Sequence, residues 1–166
     1  MASRLILRYV LRRGKSMSPL VPPPVVVAVV GAVMWAVDRK LALGKFESAF
    51  QAPVAGVLFI VGLLLMFAAV VSLVAARTTV NPLRPSRASS LVTRGVFRIS
   101  RNPIYLGDLL VLAALAVWLG NVVNVVLLIP FVWYINRFQI IPEERALTNL
   151  FGESYVAYCS RVRRWL

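Results

Sequence analysis

The sequence predicts an all-α integral membrane protein: four transmembrane helices followed by a cytoplasmic C-terminal amphipathic helix. Three observations lead there. Of 166 residues, 60% are apolar and only 15% charged, with mean hydropathy +0.79; an ordinary soluble domain is about 45–50% apolar and about 25% charged. Four apolar runs punctuate the chain. The basic residues gather at alternate ends of those runs. The length suits a single membrane domain over residues 1–166.

The first run, Leu20–Val37, follows Arg4, Arg8, Arg12, Arg13 and Lys15 and opens on Pro22-Pro23-Pro24. Proline is tolerated only in a helix's first turn, so this span starts near Pro24 and is short. A signal-peptide core is the other reading of such a run, but no small-residue cleavage site follows it. Ala52–Ala76 is charge-free for 25 residues, about 38 Å of helix and enough to cross with some tilt. Pro103–Leu119 and Val122–Ile141 are separated only by Gly120-Asn121, which predicts an antiparallel helical hairpin.

Charge gives an independent test of the count. The N-terminal 15 residues hold five Lys/Arg, the Arg77–Arg101 loop six and the region after Ile135 five, whereas Asp38–Gln51 holds three and the Gly120-Asn121 turn none. Four spans put sixteen basic residues on one side against three, and the positive-inside rule then places both termini in the cytoplasm. The net charge of +13 is thus mainly a topology signal with contacts to anionic membrane lipids. No nucleic-acid recognition motif accompanies it.

Composition also excludes chemistries. The nine glycines never form G-x-G, there is no histidine, and Cys159 stands alone. A dinucleotide or P-loop fingerprint, an intramolecular disulfide and a histidine-ligated metal are therefore not expected.

The polar segments carry the rest. Asn102-Pro103 reads as a helix start, with asparagine as the cap and proline where no donor is needed. Free N–H groups there, beside Arg98 and Arg101, would form an anion site, or the arginines anchor at headgroups. Pro142 predicts a further helix start with Glu143 and Glu144 in its first turn, where acids also complement the helix dipole. Leu147, Phe151, Tyr155, Tyr158 and Val162 then recur at three- and four-residue steps, an amphipathic helix on the bilayer or against the bundle, with Cys159 as filler within it. Asp108 lies about a turn and a half inside the third span. It is either a functional acid or an interfacial one still near water.

Two blocks carry a resemblance. Leu91-Val92-Thr93, Gly95, Phe97-Arg98 and Arg101 through Gly107 resemble L-V-T-x-G-x-[YF]-R-x-x-R-[HN]-P-x-Y-x-G. Glu143, Glu144, Leu147, Phe151, Gly152, Tyr155, Tyr158, Arg164 and Trp165 resemble E-E-x-x-L-x-x-x-F-G-x-x-Y-x-x-Y with its trailing basic and aromatic residues. Together they resemble the isoprenylcysteine carboxyl methyltransferase and phospholipid methyltransferase superfamily of membrane enzymes, over roughly residues 79–166. The resemblance implies methyl transfer from S-adenosylmethionine to a lipophilic or membrane-delivered acceptor, without a metal. It implies cofactor contacts from Leu91, Val92, Phe97, Asn102, Pro103, Ile104, Tyr105 and Glu143. The ligand's carboxylate would suit Arg101 and the helix N-terminus, and its ammonium and sulfonium would suit Glu143 and Glu144. The sulfonium already activates the methyl group, so alignment and exclusion of water are the protein's main tasks. Asparagine replaces the family histidine at 102, and Phe97 lacks the tyrosine hydroxyl. Gln139 stands where the prenylcysteine enzymes carry an acceptor-binding arginine, and Arg137, two residues earlier, lies about 200° around the helix. Asp108 and Arg137 are the candidate catalytic residues. A phospholipid N-methyltransferase, a non-catalytic scaffold of the same fold and an NADPH-dependent reductase are the alternatives; against the last, the paired acids would repel a polyanion.

Overall fold

The computed structural model describes residues 21–41, 44–79 and 88–166. The basic N-terminal residues, Leu20, Arg84 and Arg87 lie outside the described residues. Among the described residues the structure is helical throughout and contains no strand. Helix α1 is Pro23–Lys40, α2 is Gln51–Ala75 and α3 is Pro103–Leu119. Helices α4 (Val122–Val126) and α5 (Leu128–Ile135), a π-helical turn at Asn136–Ile140 and α6 (Ile141–Phe151) form one nearly continuous rod. Helix α7 is Glu153–Cys159.

Two helical segments, Gln51–Ala75 and Val122–Phe151, are long and apolar enough to cross a membrane; Pro103–Leu119 is apolar but shorter. Of the expected four spans, the first begins at Pro23, beside the expected Pro24, and runs past Val37 to end on the charged Asp38-Arg39-Lys40. The expected fourth span does not stop at Ile141. Pro142 cannot donate to the carbonyl of residue 138, yet the helix runs through it. The π-helical turn immediately before it supplies the wider spacing that takes the ring without a break. The expected amphipathic helix is divided: Gly152, at φ 51°, separates α6 from α7 in a conformation that favours glycine, and Val162 lies beyond α7.

Helix α2 shows inside-out patterning. Its buried residues are Ala55, Gly62 and Ala69, one small residue every two turns, whereas Ile60, Leu64, Phe67 and Val74 are exposed. The small residues form the seam with α3 and allow close backbone approach, as membrane helices favour. A Cβ on Gly62 would lie 2.9 Å from the Gly107 carbonyl oxygen, and one on Gly107 would lie 2.7 Å from that of Gly62. The bulkier core lies on the other side of α3, where Met34, Tyr105, Leu112, Ala116, Phe131, Ile135 and Ile140 join α1, α3 and the long rod.

The bundle has two distinct ends. At one, the α1–α2 connection meets the hairpin tip: Phe46 N donates to the Gly120 carbonyl at 2.8 Å, and Val122 N to that of Gly44 at 3.0 Å. Asn121 caps α4 by accepting from Val123 N and donates to the Leu41 carbonyl. At the other end lie the start of α1, the loop after α2, the start of α3 and the chain after α5, and they enclose the candidate site.

Candidate functional site

The site begins where α2 ends. Ser89 and Ser90 donate their hydroxyls to the carbonyls of Arg77 and Ala76 at 2.8 and 3.0 Å, which lays Leu91 and Val92 across the end of α2. A 3₁₀ turn at Gly95–Arg98 then buries Phe97. Its carbonyl accepts from the Tyr158 hydroxyl at 2.6 Å, and burial pushes the Tyr158 phenol up to about 12, with Arg101 pulling against it. Tyr158 is therefore a neutral donor that fixes α7 to this turn.

Pro103 occupies the first turn of α3 as expected, but Asn102 does not cap it with its side chain. The amide instead donates to the Arg164 carbonyl at 2.9 Å. Ser100 Oγ donates to the same oxygen, and Arg101 N donates to the Arg163 carbonyl. The backbone of Asn102 sits at φ −130°, ψ 58°, which turns the amide toward the tail rather than back over the helix.

That tail brings in Arg164. Glu144 lies between two guanidinium groups, with Arg101 at 3.2 Å and Arg164 at 2.7 and 3.0 Å. The hydrogen bonds to Glu144 hold the Arg164 guanidinium above its ordinary value. Glu144 is thus compensated within the protein, and the trio carries one net positive charge. Arg101 also contacts the Cys159 thiol, so this cysteine does more than fill space. Glu143 differs: its partner among the described residues is the Tyr105 hydroxyl, which donates to Oε2 at 3.1 Å.

These groups surround one cavity of about 290 Å³. Leu91, Val92, Phe97, Arg101, Asn102, Pro103, Ile104, Tyr105, Glu143 and Glu144 all line it, and so does Asp108. Asp108 is 7% exposed and has no hydrogen-bond or ion-pair partner among the described residues. Arg137 lies elsewhere. It is exposed, with its guanidinium 5.8 Å from the Phe138 ring centre, because its place on the rod turns it away from α3. Gln139 is buried and donates to the Val21 carbonyl at 2.6 Å. Among the described residues no group of three or more acids, cysteines or histidines is arranged to hold a metal.

Sequence reasoning missed the wall supplied by the first two helices. Pro23, Pro24, Met66, Val70 and Leu73 also line the cavity. They are aliphatic residues on helix faces and carry no chemical signal.

The phospholipid methyltransferase family matches residues 50–154. The chain is 31% identical to protein-S-isoprenylcysteine O-methyltransferase B of Arabidopsis thaliana over 105 residues, 63% of this chain and 53% of that one. For the A form of the same plant the identity is 31% over 106 residues, 64% and 54% of the two chains. An uncharacterized protein of Haemophilus influenzae is 46% identical over 63 residues, 38% of this chain and its own full length. The chain spans about half the length of the plant methyltransferases it matches. No solved structure matches.

Proposed function

The chain belongs to the phospholipid methyltransferase family, and on that premise we propose that it is an S-adenosylmethionine-dependent membrane methyltransferase with a lipophilic acceptor. The observation that carries this reading is convergence. Residues from two sequence blocks some fifty positions apart line one cavity, next to helices long and apolar enough for a membrane.

The residues present suit the methyl donor. Arg101 and the start of α3 offer a positive end for its carboxylate. Glu143, held by Tyr105 among the described residues, offers a carboxyl group as acceptor for its ammonium. Leu91, Val92, Phe97 and Ile104 offer apolar surface for its base. When bound, the donor supplies an already activated methyl group; the chain's residues orient it and keep water out. Arg137, away from the cavity, has no part in this reading. Glu144 acts by fixing Arg101 rather than by meeting the ligand.

Because Glu144 is neutralised by Arg101 and Arg164, acidic repulsion is no argument against a polyanionic cofactor, and the test includes one. The detergent-purified protein is titrated calorimetrically with S-adenosylmethionine, S-adenosylhomocysteine and NADPH. Binding of the first two is expected. Binding of NADPH alone would replace the methyltransferase reading with a reductase.

A further inference from the structure

We propose that one zwitterionic phospholipid is held at the hairpin-tip end of the bundle, with a tail in an apolar trough between α1 and α2 and its ammonium-bearing headgroup at Glu47 and Trp118. This lipid is a resident of the fold and takes no part in methyl transfer.

Two adjoining spaces lead to it. Helices α1 and α2 both pack on α3 and leave between them a trough of about 430 Å³ with almost wholly apolar walls. Gly31 of α1, Ala52, Gly56 and Phe59 of α2, and Leu115 and Trp118 of α3 line it. At the hairpin-tip end it meets a polar recess of about 550 Å³ bordered by Glu47, Ser48 and Gln51. Ala52 and Trp118 are walls of both spaces. Together they form one groove, apolar along its length and polar at its mouth.

The length suits an acyl chain. The trough runs from Ala52 to Phe59 on α2 and from Trp118 back to Val111 on α3, about 10 Å of helix on each. One leaflet's half of a hydrocarbon core is about 15 Å, so the trough takes the headgroup-proximal part of one tail. Beyond Phe59 the α2–α3 seam closes, where Gly62 and Gly107 meet with no room for a Cβ on either. The donor cavity meets α2 past that seam, at Met66, Val70 and Leu73, and shares no lining residue with the trough. A chain held here does not reach the methyl donor.

The mouth sets the headgroup. Glu47 is exposed and has no hydrogen-bond or ion-pair partner among the described residues, whereas Lys45 is engaged by Asp38 at 2.6 Å. Trp118 is 62% exposed and borders the same recess. A carboxylate beside an indole suits an ammonium group, through ion pairing and cation–π attraction. Donors for the phosphate stand close by. Ser48 Oγ accepts from Phe50 N at 3.3 Å, which leaves its hydroxyl proton to donate, and the N–H of Ala52 in the first turn of α2 has no partner among the described residues. Gln51 is committed elsewhere, its Nε2 donating to the Trp118 carbonyl at 2.9 Å. A lipid of net negative charge would meet the Glu47 carboxylate without the compensating ammonium.

The probe is a phosphatidylcholine carrying a diazirine in one acyl chain; its quaternary nitrogen has no lone pair to methylate, so acceptor binding is not what it reports. The full chain in neutral-detergent micelles is irradiated with this lipid, and adducts are mapped by peptide mass spectrometry. Adducts are expected to concentrate at Phe59 and Leu115 over Ile60, Leu64 and Phe67, which are exposed on α2 outside the trough. Unlabelled phosphatidylcholine should compete about three- to fivefold better than phosphatidylglycerol of the same chains, and Glu47→Gln should remove that margin. Gly56→Leu, which fills the trough where nothing lies within 4 Å of an added Cβ, should abolish the Phe59 and Leu115 adducts at unchanged helix content by circular dichroism. Even labelling of all five positions, equal competition by the two lipids, or adducts indifferent to Gly56→Leu would overturn the proposal. If Gly56→Leu does not fold, the adduct map and the competition on the unsubstituted protein decide the matter.

Discussion

Replacing Glu143 by glutamine removes one carboxyl group and little else. The Tyr105 hydroxyl can still donate to the amide oxygen across the present 3.1 Å, so the packing of α3 against α6 should survive. What is lost is the attraction between a carboxylate and the cationic donor. A charge-assisted hydrogen bond contributes about 1.5–3 kcal/mol, and each 1.4 kcal/mol is about tenfold in affinity, so the dissociation constant should rise about 10- to 100-fold. Glu153→Gln provides the control: it removes an acid from the neighbouring helix, where Glu153 is exposed, and surface charges rarely contribute more than about 1 kcal/mol. Calorimetry with two ligands sharpens the assay, because S-adenosylhomocysteine keeps the ammonium but lacks the sulfonium. Equal losses for both ligands would locate Glu143 at the ammonium, and a loss confined to S-adenosylmethionine would locate it at the sulfonium. If well-folded Glu143→Gln and Glu153→Gln bind both ligands equally well, the carboxylate does not meet the donor and the reasoning fails.

Two further outcomes follow from the packing and the charge pattern. Gly107→Ala should destabilise the bundle by about 1–3 kcal/mol through overpacking, since its Cβ would collide with Met66 and lie 2.7 Å from the Gly62 carbonyl oxygen; Gly56→Ala, with nothing within 4 Å, should be nearly silent, and equal midpoints in a denaturing-detergent titration would contradict the seam. In a Cys159→Ser background, an impermeant thiol reagent added outside sealed cells should label a cysteine at Glu47 and spare one at Ser89, both exposed positions; external labelling at Ser89 would reverse the expected topology.

The helix positions were legible because they depend on long apolar runs and on proline and glycine at their borders. Pro103 and Gly120 bracket α3 where the sequence predicts. The gathering of the two blocks was legible only through family resemblance, since no periodicity brings Leu91 beside Glu143. Other features depend on contacts between distant residues. The pairing of Glu144 with Arg164 needs the tail to return to the start of α3, and the side chain of Asn102 leaves its capping position for that tail. The continuous helix through Pro142 was illegible for a different reason: a proline signals a start, and nothing local reveals the π-helical turn that makes room for it.

That turn also sets a phase. Each α-helical residue advances about 100° around the axis, and the turn at Asn136–Ile140 accommodates one residue more than a regular helix would hold there. Everything beyond it is therefore rotated by about one residue's arc relative to the apolar stripe of α5. The direction in which Glu143 and Glu144 point is fixed by that arc as much as by their own identities. A shortening by one residue that restored regular winding could keep the rod straight and every side chain present, yet swing both carboxylates about a quarter of a circle away from Tyr105 and Arg101. In this stretch, residue count governs chemistry as strictly as residue type.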